Sequence, residues 1–170
     1  MDKILVAYAT KYGSTKGIAE RIGQALREAG LQVDIRPAGD VRDLAPYHAV
    51  VLGSAVYIFR WRREAVRLLR ALAALPGRPV WLFSSGPTSE TDTDAFPGGL
   101  KLPKAMQPFA DRLRVRDAAV FRGVNDPQKM NALERWMMSN MKAPSGDFRE
   151  WDAIDAWARG IAQALLETGA

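Results

Sequence analysis

The sequence predicts an α/β fold: a five-stranded parallel sheet in the order 2-1-3-4-5, with helices on both faces in three layers. Short apolar runs alternate with segments whose apolar residues recur at helical spacing, and such alternation builds parallel strands with right-handed crossovers. The first run, residues 4–9, passes through one polar loop into the first helical segment, where Ile18, Ile22, Ala25 and Leu26 share a face. A ligand loop after the first strand places that strand at the switch point of the sheet, beside the third. The 170 residues suffice for a full core, so residues 1–170 are read as a single domain.

The elements follow in order. Gly30 marks the end of the first helix. Residues 31–35 alternate in polarity, as an edge strand exposed on one face does. Residues 49–53 read as a second fully buried strand. Residues 62–75 form a helix with Val66, Leu69, Leu72 and Ala73 on one side, ended by Pro76 and Gly77. Residues 79–83 are a third buried strand. Residues 84–99 form a long polar loop, and loops of that length in compact domains are usually functional. Pro103 suits the first position of a helix running to Leu113. Residues 118–121 are the last strand. Asp126 caps a helix to about Met141, and residues 151–166 form the closing helix.

Composition excludes several chemistries. The chain has no Cys, which removes disulfides, thiol catalysis and Cys-ligated metals and fits a reducing compartment. The single His48 has no carboxylate or Cys neighbours, so no metal site is expected. There is no run of about 18 apolar residues to span a membrane. The first strand begins at Ile4, leaving no room for a signal peptide. A cytoplasmic protein is therefore expected, and nucleic acid is not expected as a partner. The net charge of +5 favours acidic partners or anionic lipid surfaces.

The loop Thr10, Lys11, Tyr12, Gly13, Ser14 and Thr15 joins strand to helix with three aliphatic hydroxyls, on Thr10, Ser14 and Thr15, and one glycine. Its N–H groups and the positive end of the helix dipole converge on one point, which makes an anion site. The blander alternative is that Ser14 or Thr15 simply caps the helix. Neither G-x-G-x-x-G nor G-x-x-x-x-G-K-[ST] occurs, which argues against a Rossmann dinucleotide site and a Walker ATPase.

The pattern T-x-x-G-x-T at Thr10, Gly13 and Thr15 resembles the phosphate loop of the flavodoxin family, whose members bind flavin mononucleotide (FMN). The resemblance covers roughly the first 125 residues. It implies that two further loops meet the flavin: Ser54, Ala55, Val56 and Tyr57 after the second buried strand, and Ser84, Ser85, Gly86 and Pro87 after the third. Gly53 is read as allowing close backbone approach to a planar ligand. Tyr57 is the expected stacker on the flavin ring, with Phe59 and Trp61 either at the cleft mouth or over the core, and Phe96 a second aromatic candidate.

The tail is similar to one branch of that family, the menaquinone-dependent protoporphyrinogen oxidases. That branch places a basic, aromatic and Met-rich helix after the last strand, as residues 133–142 do here, then a Gly-containing loop and a closing helix led by Trp151. The resemblance implies an oxidoreductase moving electrons from substrate through FMN to a quinone, with contact at the inner face of the membrane. The alternative is a flavodoxin-type electron carrier with no substrate of its own. In either case the flavin carries the chemistry, and no catalytic side chain is named. Two departures weigh on the porphyrin: fewer basic residues in the insert, and a longer third loop bearing Glu90, Asp92 and Asp94. Met137, Met138 and Met141 are expected to face the core or a second copy in a homodimer, with a quinone or membrane surface as the alternative.

Overall fold

The computed structural model describes residues 3–86, 96, 100–142 and 145–169. Strand β1 (Lys3–Ala9) is buried on both faces from Ile4 onward and lies between β2 (Val33–Pro37) and β3 (Tyr47–Tyr57), parallel to both. A two-residue strand, β4 (Arg60–Trp61), folds back antiparallel on the end of β3. Strands β5 (Val80–Gly86) and β6 (Asp117–Arg122) complete the sheet, in the order β2-β1-β3-β5-β6. Counted over the long parallel strands, this is the expected order 2-1-3-4-5, with β2 at the edge. A separate antiparallel pair, β7 (Val124–Asn125) and β8 (Gly146–Asp147), follows β6.

Helices α1 (Ser14–Glu28) and α5 (Trp151–Thr168) cover one face of the sheet. Their Ile18, Ile22, Ile154 and Ile161 pack on Ile4, Val6, Val51 and Phe83. Helices α2 (Arg63–Ala74) and α3 (Gln107–Leu113) cover the other, with Leu69 and Leu72 against Leu5, Leu52 and Leu82. Gly30 ends α1 as expected. It sits at φ +88°, and the N–H groups of Leu31 and Gly30 bond the carbonyls of Leu26 and Arg27, a Schellman closure.

Three readings are corrected. The segment after Gly53 is not a loop: β3 continues to Tyr57 and turns through Ile58 and Phe59 into β4. The helix expected from Asp126 is two pieces. Asp126 caps only a single 3-10 turn, and α4 (Ala132–Asn140) starts afresh behind Asn131, whose side chain and that of Glu134 form a reciprocal capping box. Finally, Phe96 is 1% exposed within the α2/α3 core, which overrides a role at the cleft.

Candidate functional site

The loop 10–15 lies at the carboxyl end of β1, where the sheet order reverses. Its shape is set locally. The Gly13 N–H donates to Thr10 Oγ1 at 3.0 Å, and Gly13 itself sits at φ +91°, a conformation that favours glycine. A β-carbon there would meet nothing within 4 Å, so the loop faces open space. Gly13 is the residue preceding α1, and no side chain caps that helix, so the simple capping reading of Ser14 and Thr15 fails. The first N–H groups of α1 are those a helix leaves without intrahelical acceptors.

Thr15 carries the strongest signal. It is fully buried, and its Oγ1 finds no hydrogen-bond partner among the described residues. A buried hydroxyl without a partner costs about 1–3 kcal/mol, so it calls for an explanation, and a bound acceptor at the helix start supplies one. Ser14 differs: its Oγ accepts the Val124 N–H at 3.1 Å, tying α1 to β7. A β-carbon on Gly123 would lie 3.3 Å from Ser14 Oγ and 3.2 Å from Ser85 Oγ, so the first and third predicted loops do meet there.

The side chains of two other predicted site residues, Ser54 and Ser84, are committed inside the protein. Ser54 Oγ donates to the Ala55 carbonyl and accepts the Arg62 N–H, each at 2.9 Å, locking the β3–β4 hairpin. Ser84 Oγ accepts the Trp61 indole N–H at 2.8 Å and donates to the Lys101 carbonyl at 3.0 Å. A ligand contact at Ser54 or Ser84 would therefore come from backbone groups, as it would at the half-buried Ala55, Val56 and Gly86. Trp61 is a core residue, 6% exposed. Tyr57 is 45% exposed at the end of β3, and Lys11 Nζ lies 5.4 Å from its ring centroid, so the predicted stacker does stand beside the loop. Pro87 lies outside the described residues. The His48 Nδ1–H donates to the Lys3 carbonyl, 3.1 Å away, at the start of β1 and β3, the end of the sheet opposite the loop 10–15.

The sequence reading missed Glu134. It is the one buried side chain of α4, and its carboxylate accepts the Tyr12 hydroxyl and pairs with Lys11. The signal was available as N-x-x-E, Asn131 to Glu134, the capping-box spacing. Met137 and Met138 are half-buried and Met141 is 73% exposed, so within one chain the methionines do not form a core face. Among the described residues no group of His, Cys, Asp and Glu could hold a metal ion.

A family model described as flavodoxin domain matches residues 5–152. The chain belongs to the flavodoxin domain family. A flavin cofactor is what that family implies, and the buried Thr15 hydroxyl and open Gly13 loop fit one. The chain is 28% identical over 116 residues to an NAD(P)H dehydrogenase (quinone) of Rhodopseudomonas palustris, a match covering 52% of this chain and 58% of that relative. The matched length is thus little more than half of the relative. A Streptococcus pneumoniae flavodoxin superposes with a TM-score of 0.64 at 16% identity, covering 95% of this chain and 99% of the other. The rubredoxin oxygen:oxidoreductase of Desulfovibrio gigas gives 0.67 at 14% identity, covering all of this chain and 37% of that one. These two show the shared fold. Among the described residues no helix is long and apolar enough to cross a membrane.

Proposed function

We propose that this chain binds FMN and acts as an oxidoreductase that hands electrons to a quinone. The observation that carries the reading is the fully buried Thr15 hydroxyl, unpartnered at the floor of a strand–loop–helix turn that faces open space. The phosphate would be held by the first N–H groups of α1 with the Thr15 hydroxyl, and Tyr57 would cover the ring. A bound flavin supplies the electron transfer itself. The protein's part is position and field. Arg60, Arg63 and Arg67 are exposed, and positive charge near a flavin favours its reduced, anionic form.

The quinone is supported by the name of the Rhodopseudomonas palustris relative, an NAD(P)H dehydrogenase (quinone), and by apolar side chains left exposed near the loop. Ile58 and Phe59 at the hairpin tip are 62% and 57% exposed, and Leu133 and Trp136 share an outer face of α4. Leu133 and Trp136, on a helix that also exposes Arg135 and is followed by the exposed Lys142, suit contact with an anionic membrane. The relatives' name points to a nicotinamide donor, whereas a porphyrin donor rests on the tail resemblance alone.

The test is to load the purified protein with FMN and follow reduction of a menaquinone analogue with NADH, NADPH or protoporphyrinogen as donor. Turnover with any of the three supports the enzyme and identifies the donor class. Flavin binding without turnover, together with a stable one-electron reduced flavin, would replace the enzyme with a carrier.

A further inference from the structure

Helix α4 buries a carboxylate where an amphipathic helix ordinarily buries an apolar residue. Burying a charge is costly unless it is paired and hydrogen-bonded, so the partners of Glu134 say what it is for. One is local: the Asn131 N–H, 3.3 Å from Oε2, completes the capping box. The other two are not. The Tyr12 hydroxyl donates to Oε2, and Lys11 pairs with Oε1. Both belong to the loop 10–15, and capping needs neither. Lys11 Nζ also lies over the rings of Tyr12 and Tyr57, 5.2 and 5.4 Å from their centroids. The opposite side of the loop is pinned by Thr10 Oγ1 on the Gly13 N–H. Glu134 therefore fixes Lys11 and Tyr12, the two residues that lie between the ends of that internal hydrogen bond.

We infer that Glu134 is a positioning residue, through which helix α4 sets how strongly the loop 10–15 grips a phosphate monoester. The inference rests on the FMN reading. Its geometric part works through Tyr12: an acceptor at Glu134 keeps the loop in the shape that aims its N–H groups at one point. Its charge part is opposed. A carboxylate near a phosphate disfavours the anion, and the Lys11 ammonium offsets it. The neutral isostere Gln should therefore preserve the grip, because its amide oxygen still accepts from Tyr12 and the repulsion is gone. Ala removes the acceptor altogether.

The readout is the ratio of FMN to riboflavin affinity, measured by fluorescence quenching. Riboflavin lacks the phosphate, so the ratio isolates the loop from the ring site. Glu134→Ala should lower the ratio about tenfold, the loss expected for a hydrogen bond to a charged group, with riboflavin affinity unchanged. Glu134→Gln should stay within about threefold of wild type or exceed it. Tyr12→Phe leaves the α4 cap intact and should lower the ratio about fivefold, and it decides the matter alone if Glu134→Ala does not fold. An unchanged ratio in Glu134→Ala or Tyr12→Phe would overturn the inference, as would equal losses for FMN and riboflavin, or equal losses in the Ala and Gln variants. A wild type that prefers FMN with variants that do not shift the ratio removes the positioning role and leaves the FMN reading standing. A wild type that binds neither flavin removes both.

Discussion

The ring of Phe83 occupies the space where a side chain on Gly53 would have to go: a β-carbon there would lie 2.0 Å from the Phe83 Cζ. The two are register partners on β3 and β5, and Phe83 is fully buried against the rings of Phe121 and Trp157, at 6.0 and 6.1 Å. Gly53 is thus demanded by packing against Phe83, a reason separate from the ligand approach read from the sequence. Gly53→Ala should destabilise the fold by about 1–3 kcal/mol through overpacking. Chemical denaturation checks this, and a variant as stable as wild type would contradict it.

The β3–β4 hairpin turns through Ile58 and Phe59 at φ +49° and +58°. A two-residue turn with both central φ positive is normally built from Asn-Gly, and a β-branched residue there is strained. The double substitution Ile58→Asn, Phe59→Gly should raise stability by about 1 kcal/mol. It should also weaken reduction of an apolar quinone if the tip contacts it. A lower melting temperature would show that the turn is not strained as described.

Arg21 on α1 forms a two-pronged bond to Asp155 on α5, with both N···O distances at 2.6 Å. That hydrogen bond holds the Asp155 carboxyl below the ordinary 3.8. A carboxyl depressed in the folded state contributes stability above its unfolded pKa and loses it as pH falls through the folded value. The stability difference between wild type and Asp155→Asn should therefore be constant from neutral pH down to about pH 4 and shrink below it. Melting curves across pH 2–7 check this, and a difference that widens with acid would have the sign wrong.

The parallel sheet and its order were legible because each strand is an apolar run punctuated by helix-periodic segments. The loop 10–15 was legible because its hydroxyls and glycine fall between two such segments. What escaped depends on contacts far apart in the chain. Glu134 meets Tyr12 across 122 positions, and no local pattern announces that pairing. Ser54 and Ser84 were expected in loops that meet the flavin, and their hydroxyls are consumed by Arg62 and Trp61, because the chain folds back at a turn whose residues, Ile and Phe, are poor turn formers. The methionines of α4 read as core because helical spacing shows that a face exists, but not what covers it.

Thr15 offers the most direct test of the central claim, that the loop 10–15 is a phosphate site. If its buried hydroxyl awaits a phosphate oxygen, Thr15→Val should separate stability from function. The flavin-free variant should be as stable as wild type or more stable, since an unpartnered buried hydroxyl is replaced by a methyl. Its FMN affinity should fall by about 10- to 100-fold, the worth of a hydrogen bond to a charged group, about 1.5–3 kcal/mol. Calorimetric titration of FMN into both proteins, alongside their melting curves, gives the two numbers. Loss of affinity with stability kept is the predicted result. FMN affinity unchanged by Thr15→Val, or no FMN binding by the wild type at high micromolar concentration, would contradict it.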